Sequence, residues 1–307
     1  MKRSAMTGTP NPPTPSETPK PEATDALIET VSQQLARQTF DPNDGETLKQ
    51  MVEGFADSRG MVRLTIAETL GKIGKPALPF LLQALEHHSN PVVRRASGKT
   101  VTLIADPSSI PTLIRALLYD EDTVVKGSAA GALARMGEQA VPILLEIVAS
   151  SEHPQSIKGH AAWALAFMGA EVKEQLYEGI TADSAEVRSA IAGAIGNLVQ
   201  ETKDAKGLDL LIAALQDSEA MVRAEAATAL SQLDESPEVI ATLLACLEDG
   251  EGEVRKNVAF ALMKLGDRSI LEPLQAAGQR EPEEGVKKAI AVAISRLENK
   301  VEDDDDW

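Results

Sequence analysis

The sequence of 307 residues is poor in cysteine and in aromatic side chains. Its single cysteine, Cys246, excludes an internal disulfide and also excludes those zinc or iron–sulfur sites that are built from several thiolates. Cys246 occupies an apolar helical position, so we expect a packed structural thiol. Aromatic residues make up 3% of the chain. A core must therefore be built from Ala, Leu, Ile and Val, which favours closely packed helices over a β-sandwich or barrel.

Long apolar runs are also missing, and no stretch approaches the roughly 18 apolar residues that a membrane-spanning helix needs. The N-terminal segment MKRSAMTGTP is basic but has no apolar run behind it, so it does not resemble a secretory signal. The formal net charge of −17 argues against binding to nucleic acid or to an anionic membrane surface. These features predict a cytoplasmic protein in a reducing compartment. Acidic and neutral partners stay open, and a partner with a basic patch would be favoured kinetically.

The two ends of the chain differ in composition from the middle. Residues 1–22 are expected to form a disordered arm, because Ser, Thr, Lys and proline dominate and cannot bury a core. The prolines are Pro10, Pro12, Pro13, Pro15, Pro19 and Pro21. At the other end, residues 301–307 form an acidic tail in which like charges repel one another, and a frayed segment is expected.

Between these ends the sequence repeats itself, and this repetition predicts the fold. The marker is a β-branched residue followed by a base, five or six residues after an acid. The β-branched residue and its base occur eight times at spacings of 30 to 35 residues, and the acid precedes them in seven of these repeats. The recurring bases are Arg63, Arg94, Lys126, Lys158, Arg188, Arg223, Arg255 and Lys287. An incomplete ninth unit precedes them and is expected to cap the array with helices near 23–37 and 45–56.

Each marker opens an amphipathic helix. Apolar residues lie three, seven and ten positions after the base, as in Ala129, Leu133 and Met136 of the third repeat. The fourth position holds Ala or Gly in every repeat, which lets a neighbouring helix approach closely. The helix then ends at a glycine in four repeats, Gly74, Gly137, Gly169 and Gly266. A second amphipathic helix follows in each unit and is often opened by a proline.

Such a hairpin cannot bury its apolar stripe alone and must stack on its neighbours. The fold predicted is therefore all-α: a right-handed α-solenoid of HEAT-type helical hairpins, with about eight full repeats and an N-terminal capping hairpin. Its segments are the arm (1–22), the capping helices (23–56), the repeat solenoid (57–300) and the acidic tail (301–307). The recurring acids and bases are interpreted as a structural ladder: the acid caps a helix N-terminus or pairs with a base, including a base of the next unit.

The repeat pattern D-x-x-x-x-V-R-x-x-A-A-x-A-L-x-x-[LM]-G resembles the HEAT-like repeat of the phycobilisome lyase family of cyanobacteria. It stands most clearly in DEDTVVKGSAAGALARMG and DSEAMVRAEAATALSQL, and it covers residues 57–298. The resemblance implies a fold firmly and a function only broadly, because the family includes bilin lyase subunits, phycobilisome-degradation factors and non-catalytic adaptors. The stretches TFDPNDGETLKQMVEGFADSRG and KGHAAWALAFMGAE resemble adaptors that bind an A-type iron–sulfur cluster assembly protein.

No motif for catalysis is recognisable: the P-loop, the dinucleotide fingerprint, the nucleophile elbow and the metalloprotease helix are all missing. A HEAT-repeat hydroxylase would need recurring His-Glu pairs, and no histidine of this chain precedes a glutamate. We therefore predict no catalytic, cofactor-binding or metal-ligating residues. The main hypothesis is a non-catalytic protein-binding scaffold or adaptor, with an iron–sulfur assembly protein as the implied partner. The alternative is a bilin lyase subunit or a phycobilisome assembly or degradation factor, with a phycobiliprotein as partner.

One repeat differs from the others on its outer face. Positions two, five and nine after the base hold polar or small residues in most repeats, but the fourth repeat has His160, Trp163 and Phe167 there. Their spacing of three and four residues puts them on one face of a helix. Two large aromatic side chains on that face indicate an apolar interface with a partner. The alternative is that the fourth repeat buries both rings, for example against Tyr177.

The second helices offer rival contact residues, because HEAT proteins often bind partners on the face that those helices build. The candidates are the polar residues Arg115, Glu146 and Glu178. An ordinary solvated surface is the other interpretation of these three side chains. The sequence leaves open which face of the solenoid a partner uses.

Overall fold

The computed structural model describes residues 20–234 and 236–305. Residues 1–19 of the predicted arm, Glu235, Asp306 and Trp307 lie outside the described residues. The chain divides into two compact units. The first contains the residues up to 116 together with 121–128, and the second contains 117–120 and the residues from 129 onward.

Every regular element of the described residues is a helix. The first unit contains α1 (Pro21–Ala36), α2 (Gly45–Glu53), α3 (Gly60–Ile73), α4 (Leu78–His87) and α5 (Pro91–Ile104). Helices α6 (Ile110–Tyr119) and α7 (Thr123–Ala134) contribute residues to both units. The second unit continues with α8 (Val141–Ala149), α9 (Gln155–Met168), α10 (Lys173–Gly179), α11 (Ala185–Thr202), α12 (Ala205–Ala214), α13 (Ala220–Leu230), α14 (Pro237–Ala245), α15 (Gly252–Leu265), α16 (Leu271–Arg280) and α17 (Glu284–Asp305).

The helices alternate as the repeat predicts, and the α-solenoid of helical hairpins is confirmed. In the second unit the first helices of successive hairpins pack side by side in the order α9, α11, α13, α15 and α17. The eighth marker differs from expectation: within the residues up to 305 it opens one long helix, α17, rather than a hairpin. The segment after Leu297 is dominated by acids and has no apolar stripe with which to build a second helix.

The first helix also differs slightly from the predicted boundary, because it begins at Pro21 rather than at residue 23. Proline suits the first position of a helix, since its missing N–H would have no partner there and its φ angle is already helical. At the other end, the backbone of residues 301–305 continues α17.

The core lies where the stripe predicts. The third residue after every marker base is buried, at 2% exposure or less: Ile66, Ser97, Ala129, Ala161, Ile191, Ala226, Val258 and Ile290. The small residues between neighbouring first helices allow close contact. A Cβ added at Gly196 of α11 would lie 2.7 Å from the Cβ of Ala229 on α13, so only glycine fits this crossing.

The ends of three first helices confirm the role assigned to glycine. Gly74, Gly169 and Gly266 directly follow α3, α9 and α15 and have positive φ angles, in the region that favours residues without a Cβ. Gly137 also has a positive φ angle, but α7 ends earlier, at Ala134. Two other first helices end in the same region with ordinary residues, Ala105 (φ 51°) and Lys203 (φ 56°). A left-handed residue therefore ends these helices even where the sequence offers no glycine.

Three arginines of the ladder join successive repeats in the second unit. Each donates through Nε and Nη2 to both carboxylate oxygens of an acid in the next repeat, at 2.7 to 2.9 Å. The pairs are Arg188–Asp217, Arg223–Asp249 and Arg255–Glu281. The remaining Nη1 donates to a carbonyl just before the arginine's own helix, such as Asp217 O for Arg223. One guanidinium therefore fixes a helix start and the distance to the next repeat.

The other marker bases make different contacts. Arg63 donates to the carbonyl of Asp57, and Lys287 pairs with Glu284 one helical turn away. Arg94 donates to the carbonyls of His88 and Ser89 and also pairs with Glu121 of the next repeat at 3.5 Å. Lys126 and Lys158 are half-buried. A lysine ammonium cannot make the two-pronged contact that the arginine fork makes. In the first unit Arg95, the neighbour of the marker base, holds both oxygens of Asp122 at 3.2 and 3.3 Å.

Replacing Arg255 by alanine should destabilise the protein strongly. The Glu281 side chain is 3% exposed, and Arg255→Ala would leave its charge buried without its main partner. We expect the free energy of unfolding to fall by about 3 kcal/mol, measured by urea denaturation. Arg255→Met with Glu281→Leu should restore most of this loss. Lys256→Ala is the control: it removes an exposed ion pair with Glu253 and should change the free energy of unfolding by less than about 0.5 kcal/mol. If Lys256→Ala lowered this free energy as much as Arg255→Ala does, the structural role of the ladder would be contradicted.

The ladder also predicts a pH dependence. The pKa values of Asp217, Asp249 and Glu281 are lowered, chiefly because arginine donates hydrogen bonds to the ionised carboxylates. A lowered pKa in the folded state adds stability above the unfolded-state pKa of about 4, and this stability is lost as the pH falls below it. Urea denaturation should give a nearly constant free energy of unfolding from about pH 7 to 5.5 and a decrease below about pH 4. The variant Arg255→Met/Glu281→Leu should lose less, and a parallel loss would contradict this account.

Ser97 offers an opposite test. Its side chain is fully buried in the apolar stripe, and its hydroxyl has no hydrogen-bond partner within the described part of the chain. Ser97→Ala removes an unsatisfied polar atom and should raise the free energy of unfolding by about 1 kcal/mol in urea denaturation. Ser231→Ala is the control, because the Ser231 hydroxyl donates to Thr228 O at 2.6 Å and its loss should not stabilise. A decrease for Ser97→Ala would show that its hydroxyl is satisfied.

Candidate partner-binding surface

The fourth repeat displays its aromatic residues through the geometry of α9. Ile157, Ala161 and Leu165 occupy the buried side of this helix. A helix turns about 100° per residue, so positions 160, 163 and 167 lie away from that side. The Trp163 side chain is 49% exposed and the Phe167 side chain 61% exposed. The predicted residues are therefore together on one helix face.

Trp163 and Phe167 form a stacked pair. Their ring centroids are 5.2 Å apart and their planes are inclined by 25°. On the other side, the Trp163 ring lies 3.9 Å from the position of a Cβ at Gly131, so the smallest residue of α7 faces it. His160 is half-buried, and its Nδ1 lies 2.7 Å from Ser156 O. A carbonyl only accepts hydrogen bonds, so Nδ1 carries the proton and His160 is turned toward its own helix.

The alternative, in which the fourth repeat buries both rings against Tyr177, is excluded by their exposure. Tyr177 is itself buried and donates its hydroxyl to Asp204, which also accepts from Lys173 and from the backbone of Gly207. These hydrogen bonds lower the pKa of Asp204, and burial followed by the Asp204 contact raises the pKa of Tyr177. Tyr177 thus serves the N-terminal cap of α12.

A shallow trench runs along α11 beside this pair, with a volume of about 350 Å³. Its floor is built from small residues of α11: Ser189, Ala190, Gly193 and Ala194. Trp163 of α9 stands on one side, and Met221 and Glu225 of α13 stand on the other. Met221 is 46% exposed, so apolar surface faces the trench from both sides.

Glu225 is the most unusual polar group of this trench. A Cβ at Gly193 would lie 2.8 Å from Glu225 Oε1, so the carboxylate rests on α11 only because that position is glycine. Burial raises the pKa of Glu225. Among the described residues its carboxylate has no hydrogen bond or ion pair. Sequence reasoning missed Glu225 and Met221, and the available signal was Gly193, which stands at the position that Trp163 holds in the previous repeat.

The residues predicted on second helices are not among those that line this trench. Arg115 of α6 donates to both carboxylate oxygens of Glu86 on α4, at 2.7 and 2.8 Å. This pair joins the second helices of adjacent hairpins in the first unit. Glu146 and Glu178 are exposed on α8 and α10. None of the three lines the trench, so the structure does not bring the two sets of candidates together.

The described residues contain no group of three or more His, Cys, Asp or Glu side chains placed to hold a metal ion. Cys246 is buried, and burial, together with the charge of Asp249, raises the pKa of its thiol. His88 donates from Nε2 to Glu53 and accepts from the Asn90 backbone at Nδ1, so it belongs to a turn. No helix in these ranges has the length and apolarity needed to cross a membrane.

Comparison with protein families gives matches over most of the chain. The HEAT repeats family matches residues 23–97, 78–166 and 173–256. The PBS lyase HEAT-like repeat matches residues 254–277. A crystal structure of a Kap121p mutant aligns with 91% of this chain and 38% of its own at a TM-score of 0.54 and 15% identity, which indicates the fold alone.

Two relatives are more similar in sequence. Over 201 residues the chain is 36% identical to the bilin biosynthesis protein MpeU of Synechococcus sp. (strain WH8020), covering 66% of this chain and 68% of that protein. Over 203 residues it is 30% identical to the uncharacterized phycocyanin operon protein Z of Pseudanabaena tenuis (strain PCC 7409), covering 63% and 83%. Both names come from the biology of bilins and phycobiliproteins.

Proposed function

The chain belongs to the HEAT repeats family and contains a PBS lyase HEAT-like repeat, and from this membership we propose a function. The protein acts in phycobilisome biogenesis by binding a phycobiliprotein subunit, and the exposed Trp163–Phe167 pair is its main contact. The observation that carries this proposal is the stacking of two large rings on an outer helix face. Other repeats have polar or small side chains at these positions or a single exposed apolar residue, namely Leu103, Phe260 or Val292, and none of them has a pair of aromatic rings there. Exposed aromatic residues of this kind dominate the binding energy of many interfaces.

The relatives favour one of the two partners that the sequence suggested. The similarity to a bilin biosynthesis protein and to a phycocyanin operon protein supports a phycobiliprotein. Neither relative supports the expected A-type iron–sulfur assembly protein, so the main hypothesis gives way to its alternative. The part kept from that hypothesis is the mode of action, which is the holding of another protein on a helical surface.

The same similarity favours a second role, in which the protein also brings the bilin to its acceptor. Stacked rings beside a trench of small residues offer apolar surface to a planar conjugated ligand. Titration of free bilin into the protein, followed by visible absorbance, tests this role directly. A spectral change that is lost in Trp163→Ala would support bilin handling, and an unchanged spectrum would restrict the function to binding of the phycobiliprotein.

The central test is binding to a purified phycobiliprotein subunit that lacks its chromophore. Trp163→Ala/Phe167→Ala should weaken the dissociation constant at least about 30-fold in calorimetric titration, because a contact of this type contributes about 2 kcal/mol or more. Tyr119→Ala is the matched control, since Tyr119 is also an exposed aromatic residue but lies on the second helix α6. Its affinity should stay within about twofold of the original protein.

Two outcomes would contradict the proposal. If the unaltered protein binds neither the chromophore-free subunit nor the chromophore-bearing one, the proposed role in phycobilisome biogenesis is wrong. If the Trp163→Ala/Phe167→Ala and Tyr119→Ala variants bind equally well, the function stands but its contact lies elsewhere. Circular dichroism of both variants would verify that the helices are retained.

A further inference from the structure

The carboxylate of Glu225 is an uncompensated charge in the trench. The neighbouring Glu186 has partners: its own backbone N–H, the Ser184 hydroxyl at 2.9 Å and the charge of Lys158 together lower its pKa. Glu225 has no such partner within the described ranges, and burial makes its charge costly. A cation arriving from another molecule would remove this cost, which makes the position selective for a basic group.

The trench is open on its outer side and lies above α11, between α9 and α13. Neighbouring helix axes in this type of packing are about 8–10 Å apart, so the axes of α9 and α13 are separated by roughly 16–20 Å. A guest helix, about 10–12 Å wide with its side chains, would therefore lie on top of α11 and rest against Trp163 and Met221 at the two edges. The small residues Ala190, Gly193 and Ala194 leave the space above α11 open for such a guest.

The lining also determines the composition of the guest. Trp163 and Met221 present apolar surface from opposite sides, which an amphipathic helix covers with its apolar face. An acidic helix would meet Glu225 and a chain of net charge −17, so its approach is unfavourable. A base at the edge of the apolar face meets Glu225 and completes the contact.

We propose that the trench between α9 and α13 binds an amphipathic helix of the partner protein, and that a lysine or arginine of this helix pairs with Glu225. The inference deepens the proposed function by specifying the chemistry of the partner's contact surface, and it rests on that function for the partner's identity. Gly193 is part of the site, because it lets the Glu225 side chain lie across α11.

The test uses the full chain carrying Trp307→Phe, in which Trp163 is the only tryptophan and reports on the trench. The probe is a helix-forming peptide of about 16 residues without tryptophan, with a leucine stripe and one central arginine. Its twin has glutamine in place of the arginine. Titration should shift the Trp163 emission to shorter wavelength, and the arginine peptide should bind at least about tenfold more tightly than its twin.

The variant Glu225→Gln should remove this preference, so that both peptides bind with similar affinity. Glu68→Gln is the matched control, because Glu68 is an exposed glutamate on the first helix α3 and should leave the preference unchanged. Equal binding of the two peptides to the unaltered trench, or a preference that persists in Glu225→Gln, would overturn the proposal.

The same variants measured against the phycobiliprotein subunit separate the two proposals. If the peptide preference depends on Glu225 but the subunit does not bind, the trench proposal holds and the proposed function fails. If the subunit binds and only Trp163→Ala/Phe167→Ala weakens it, the proposed function holds and the trench proposal fails. A loss of at least about tenfold in Glu225→Gln for both ligands would support both.

Discussion

Each hairpin of this protein buries its apolar stripe only by stacking on the hairpins before and after it. The third and seventh residues after each marker base fill that contact, and small residues beside them set how closely the helices approach. The second, fifth and ninth residues after the base lie outside this buried stripe. Residues there are free to serve a partner, which is why Trp163 and Phe167 remain exposed without disturbing the core.

The arginine ladder combines two tasks, the capping of helix starts and the spacing of successive repeats. In Arg223, one nitrogen holds the carbonyls at the start of its own helix, and two others hold Asp249 in the next repeat. Asp249 in turn accepts from the backbone of Glu251 at the start of α15. Helix capping and the spacing of repeats therefore belong to one hydrogen-bonded network, and an error in one is transmitted to the other.

The fold could be predicted almost completely from the sequence, because the marker, the apolar stripe and the glycines are local patterns. Two features were not predicted: Ala105 and Lys203 end helices in the left-handed region without a glycine, and α17 is not followed by a second helix up to residue 305. Only half of the candidate site could be predicted from the sequence. Trp163 stands out within its own repeat, but the environment of Glu225 depends on Gly193 in the repeat before it, and a pattern read within single repeats does not reveal such a pairing.

The equivalence of Trp163 and Gly193, each five residues after its marker base, has a consequence for how such proteins diverge. A large side chain at this position forms the edge of a groove between first helices, and a glycine forms its base. Exchanging the large residue and the glycine between adjacent repeats would move a ligand-binding site along the array by one helix spacing, about 10 Å. The buried stripe would stay the same. Binding specificity in this architecture can thus change through substitutions at the outer helix positions, independently of the buried residues that keep the chain folded.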